Sequence, residues 1–148
     1  MERFKIEYFE REHGENSFPA FRSLAREEAD HTLALLKRRL ALPDELNALD
    51  VLNIADQKGV VVDGVDATED TFDLRLVLDR IGFSAAKVLV NWYRFDRIDE
   101  FATEDLCRYF LDVFYPPADD MEIFDLDLTW LVSIRHYGAV KALDLSCR

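Results

Sequence analysis

The sequence predicts an α+β domain: a mainly antiparallel sheet of about five strands with a long N-terminal helix and a second helix packed on it. Three observations predict it. Phe18, Phe21, Ala25, Ala29, Leu33, Leu36 and Leu40 recur at helical spacing. Residues 72–79 alternate apolar and polar, and residues 87–95 are almost continuously apolar, as half-buried and central strands are. Residues 130–136 and 139–143 are apolar runs joined through Tyr137-Gly138, the pattern of a hairpin. Strands and helices do not alternate regularly enough for a doubly wound parallel sheet.

In chain order, Phe4-Lys5-Ile6-Glu7-Tyr8-Phe9 alternates weakly and reads as a first strand, broken by His13-Gly14-Glu15-Asn16. The long helix follows over 18–41, with Ser17 as N-cap and Pro19 in its first turn. Its acids Glu27, Glu28 and Asp30 come early and its bases Lys37, Arg38 and Arg39 late, the order a helix dipole favours. Pro43 ends it. Over 44–56, Leu46, Leu49 and Leu52 suit a short helix that Gly59 terminates; the alternative is a hairpin through Asp56-Gln57-Lys58-Gly59. Val60-Val61-Val62 reads as a short strand.

The strand at 72–79 turns through Ile81-Gly82-Phe83-Ser84 into the strand at 87–95. Thr103 caps a helix over 104–114, whose Leu106, Phe110, Val113 and Phe114 share a face and which Pro116-Pro117 stops. With 148 residues, about half of them apolar, and neither repeat nor linker, the chain reads as one domain, 1–148.

The net charge of -12 is uneven. Residues 1–41 hold eight acids and eight bases; residues 42–148 hold 22 acids against 10 bases. The densest stretch runs from Asp96 to Asp127, where 11 acids face only Arg97 and Arg108. Such a field repels phosphate backbones and anionic lipid, so neither nucleic acid nor membrane is expected as a partner. A basic protein partner is compatible with it, as is a merely solvated acidic surface. No stretch is long and apolar enough for a membrane span, and the N-terminus lacks the pattern of a secretory signal. Cys107 and Cys147 make no disulfide framework, which fits a cytoplasmic setting.

Chemistry-bearing patterns are sparse. Asp125 and Asp127 share a face of an extended segment, with Asp119, Asp120 and Glu122 close by and His136 within reach if its strand returns alongside. That set could hold a hard cation and serve a metal-dependent hydrolase. It lacks the glycine and distal glutamate of a helix-loop-helix calcium site, and so does Asp63-Gly64-Val65-Asp66 with Glu69 and Asp70. Solvated loop acids are the simpler reading of both. Cys107 sits on the apolar side of its helix and reads as a core residue, not a thiolate. No glycine-rich phosphate loop and no Gly-x-Ser-x-Gly elbow is present, so no cofactor and no catalytic residue is assigned. Trp92 and Trp130 read as packing residues. Tyr115 and Tyr137, at element ends beside acids, suit anchors for a basic partner.

The block from Phe114 to Asp125, Phe114-Tyr115-Pro116-Pro117-Ala118-Asp119-Asp120-Met121-Glu122-Ile123-Phe124-Asp125, is followed by Trp130-Leu131-Val132-Ser133-Ile134-Arg135-His136-Tyr137-Gly138. This last third of the chain resembles small acidic bacterial proteins, some of which look like immunity proteins of contact-dependent or polymorphic toxin systems. The resemblance implies a cytosolic protein that occludes a basic toxin domain by surface complementarity. On that reading the interaction residues are Tyr115, Asp119, Asp120, Glu122, Asp125, Asp127, His136 and Tyr137. A homo-oligomer joined through aromatic edge strands is a third reading; the sequence does not fix the oligomeric state.

Overall fold

The computed structural model describes residues 1–146, and at Tyr93 the backbone alone. Cys147, weighed above, lies outside the described residues. Five helices and seven strands form an α+β fold, with all seven strands in one antiparallel sheet. The strand count exceeds the expected five, and the helices are distributed differently.

The segment expected to be a first strand is a helix, α1 (Arg3–His13). Its Lys5 and Phe9, four residues apart, are the buried pair, and this helical spacing outweighs the weak alternation. The expected helix over 18–41 begins later: β1 (Phe21–Ser23) precedes α2 (Arg26–Arg39). Ser17 does not cap it, since its hydroxyl is bonded to the Gly14 carbonyl. Instead the Glu28 carboxylate accepts the Ala25 amide at 3.0 Å, closing the first turn of α2.

The next helix, α3 (Ala48–Lys58), is as expected, capped by Asn47 and ended at Gly59. It leads into β2 (Val60–Val61). The largest departure is at 72–79, which forms α4 (Leu74–Ile81) in place of a strand. Asp73 accepts the amides of Arg75 and Leu76, and Leu74, Val77 and Leu78 are buried at spacings of three and four. Gly82, at φ 77°, supplies the left-handed residue that ends it, so Ile81–Ser84 is a helix stop and not a hairpin.

The remaining elements are β3 (Lys87–Tyr93), β4 (Arg97–Ala102), α5 (Thr103–Val113), β5 (Met121–Asp125), β6 (Trp130–Ile134) and β7 (Val140–Asp144). Thr103 is the first helical residue of α5, and Ala102 occupies the cap position. β5 occupies a segment whose acids had read as loop, and β4 a stretch to which the sequence assigned no element.

The sheet order is β1-β4-β3-β5-β6-β7-β2. One face carries Val88, Val90, Met121, Ile123, Val132 and Ile134, packed with Leu74, Val77 and Leu78 of α4 and Leu106, Phe110 and Val113 of α5. The opposite face carries Leu89, Phe124, Leu131 and Leu143, packed with Ala29 and Leu36 of α2 and Val51, Leu52 and Ala55 of α3. Burial on both faces explains the continuously apolar runs of the central strands. Trp130 is buried and stacks on Phe83, and Cys107 packs against the same core. No helix among the described residues is long and apolar enough to cross a membrane.

Candidate functional site

The α3-facing side of the sheet has a polar row at one end. Asn91, Glu122, Ser133 and Lys141 are successive cross-strand partners on β3, β5, β6 and β7. Glu122 is 5% exposed. It accepts a hydrogen bond from Asn91 Nδ2 at 2.7 Å and one from Arg135 Nη1 at 2.8 Å. Arg135 also reaches Asp56 of α3 at 3.1 Å, and Lys141 Nζ reaches the same carboxylate at 3.0 Å. Two carboxylates thus face two cations.

Burial pushes the Glu122 carboxyl above its usual range, against the pull of Arg135. Burial also opposes ionisation of Asp56, but the hydrogen bond from Lys141 and the charge of Arg135 outweigh it and hold that carboxyl low. A cleft of about 330 Å³ opens onto this group, with Asn53, Trp92 and Arg94 on its rim.

The eight residues expected to form an interaction patch have different surroundings. Asp119 bonds Lys5 Nζ at 2.5 Å and the Tyr115 amide at 2.8 Å. Lys5 is 1% exposed and lies over the rings of Trp92 and Tyr115, at 4.3 and 5.1 Å. Asp125 accepts the amides of Thr129 and Trp130 and the Thr129 hydroxyl, holding the β5–β6 turn. Glu122 belongs to the polar row. Tyr115 is half-buried, with its ring edge-on to Phe4, and burial raises its phenol, assisted by Asp112. Only Asp120, Asp127, His136 and Tyr137 present side chains openly to solvent. Of these, Asp120 and His136 meet, at 3.0 Å. The carboxylates of 119–127 therefore do not converge with His136 into one ligand set.

A different set does converge. The β6–β7 turn lifts Tyr137 to 65% exposure. Its neighbour Gly138 accepts the Ala67 amide at 3.0 Å, which brings the loop of residues 62–73 alongside. Gly138 has φ 101°, which side-chain-bearing residues rarely adopt, and a Cβ there would displace the Asp66 carboxylate, so glycine suits the close approach of turn and loop. Beside them is a groove of about 420 Å³, with Asp66, Glu69 and Asp73 on its walls and Phe72, Leu76 and Val77 among its apolar lining. Arg80 is the one cation lining it, and its guanidinium is bonded to the Asp63 carbonyl at 2.7 Å. Leu76 is exposed. Among the described residues, Asp63, Asp66, Glu69, Asp70 and Asp73 enter no ion pair. The acids of this loop were visible in the sequence. Their groove was not, because it depends on α4 being a helix that turns Leu76 and Val77 toward them.

No family model matches the chain, and no curated protein or solved structure matches it.

Proposed function

We propose that the protein is an acidic protein-binding module that takes a basic partner at the groove beside the β6–β7 turn. The observation that supports this is the groove's make-up: three carboxylates against one guanidinium, over an apolar floor, beside an exposed tyrosine. A lysine or arginine side chain fits such a surface, its alkyl stem on Leu76 and Phe72 and its charged head among the acids. Tyr137, exposed on the turn whose Gly138 is bonded to the same loop, adds a rigid amphipathic anchor nearby. Occlusion of a basic toxin domain, in the manner of an immunity or antitoxin-like protein, is the specific form of this reading that agrees with the resemblance of the C-terminal third.

The test is retention of proteins from the source cell's own extract on the immobilised full chain, at low and high salt. The wild-type chain should retain a basic protein whose association slows steeply with salt. A Glu69→Lys variant and Tyr137→Ala should lose it while keeping native circular dichroism. If both variants retain the same protein equally well, the groove is not the contact surface.

A further inference from the structure

We propose that the C-terminal ends of α1 and α5 form a site for a divalent first-row transition cation, held by Glu12, His13 and Asp112. One ligand atom from each of these three side chains lies within 4.8 Å of the others, and they come from two helices 99 positions apart in sequence. His13 Nε2 is 3.9 Å from Asp112 Oδ1. Nitrogen and oxygen ligands around a tetrahedral zinc stand about 3.4 Å apart, given metal–ligand bonds near 2.0–2.2 Å. Closing the set therefore takes a shift on the order of 1 Å, within the reach of solvent-accessible side chains at helix ends.

Three features separate this group from an ordinary acidic cluster. It contains an imidazole, and that ring is oriented: it packs on Phe9 with ring centroids 4.2 Å apart, and Phe9 is itself buried against Tyr109 and Phe18. Both helices also finish here, α5 after a kink at Tyr109, so the carbonyl ends of two helices lie close to the group. The last turn of α5 carries no basic residue to offset its own. Finally, the two carboxylates have no Lys or Arg ion pair among the described residues; the long contact to His13 is the one ionic contact Asp112 makes there.

The donor set gives the class of ion. One imidazole nitrogen with two carboxylates suits zinc, cobalt, nickel or manganese and is poorly matched to calcium or magnesium, which take all-oxygen shells. With neutral His13, the two carboxylates balance a divalent charge. Three protein ligands leave a coordination position for water, and a groove of about 380 Å³ lined by Tyr8, Leu111 and Tyr115 adjoins Glu12 and Asp112. This site is separate from the acidic groove beside Tyr137: the two share no lining residue.

The experiment is titration of the full chain with Zn²⁺ by calorimetry and with Co²⁺ by visible absorption. Wild type, His13→Ala, Asp112→Asn and, as a control, His136→Ala are compared. The expected result is one-to-one binding with a d–d absorption band for Co²⁺. Binding should weaken about 10-fold or more in His13→Ala and Asp112→Asn, since removing even a supporting partner of a ligand costs that much. His136→Ala should bind as wild type does. Asp112→Asn keeps the side-chain shape, so its effect reads out ligation and not folding. Absence of binding by the wild-type chain overturns the proposal, as does binding that survives both substitutions.

Discussion

Residues 119–127 and residues 62–73 are both rich in acids, and they differ in whether a cation meets those acids. In the first segment Asp119, Glu122 and Asp125 are committed inward, to Lys5, Arg135 and the Thr129–Trp130 backbone. In the second, Asp66 and Asp73 accept hydrogen bonds from Thr68 and from the first turn of α4, no acid has a cationic partner among the described residues, and three of them line a groove. Local charge density is the same kind of signal in both cases. What differs is whether another part of the chain brings a cation to the acid, as Lys5 and Arg135 do for Asp119 and Glu122. A carboxylate already neutralised by a buried cation offers little charge to a partner, so the loop, whose acids keep theirs, is the better interaction surface.

Substitutions can break or sharpen this contrast. The largest effect belongs to Arg135→Ala, which leaves Glu122 buried without its cation and should cost about 3–5 kcal/mol of stability. The sign of its pH dependence follows from both carboxyls. Glu122, raised in the fold, costs stability increasingly as pH rises through its folded value. Asp56, held low in the fold, contributes stability above its unfolded value and loses it as pH falls. Removing Arg135 raises the first cost and reduces the second gain. The deficit should therefore be larger at pH 8 than at pH 4, as read by urea unfolding at the two values. A pH-independent deficit would mean that Arg135 acts by packing alone.

Asp119→Ala comes next, at about 1–3 kcal/mol, because Lys5 and the Tyr115 amide lose their acceptor while the two aromatic faces still hold the ammonium. Asp125→Ala should cost about 1 kcal/mol through the β5–β6 turn. At the bottom of the order, Glu69→Gln with Asp70→Asn should change stability by no more than about 0.5 kcal/mol while weakening capture of a basic partner. Thermal unfolding of the four variants side by side tests the ordering. If the loop variant proves as destabilising as Asp119→Ala, the division between structural and free acids is wrong.

These roles set what was legible in the sequence. The antiparallel sheet, α3 with its stop at Gly59, strands β3, β6 and β7, and the turn at Tyr137-Gly138 followed from apolar runs and punctuation. The misreadings share a cause. Residues 72–79 satisfy both a two-residue and a helical period, and the deciding signal was Asp73 as an N-cap, which apolar spacing does not weigh. Glu122 looked like a solvated loop acid because its partners, Arg135 and Asn91, lie 13 and 31 residues away and become neighbours only through strand register. The Glu12–His13–Asp112 group was illegible for the same reason: adjacency in space is set by how α1 docks on α5.

The strand order has a consequence for how the molecule comes apart. The five inner strands, β4-β3-β5-β6-β7, all come from residues 87–144, while β1 and β2, drawn from the first 61 residues, are laid on opposite edges. Each edge strand is only two or three residues long and is held by a single neighbour. Amide hydrogen exchange should therefore be graded from the edges inward, with β1 and β2 opening in partial fluctuations that leave β3, β5 and β6 protected until the whole domain unfolds. The N-terminal half then behaves as a wrapping laid over a C-terminal ladder that is continuous without it.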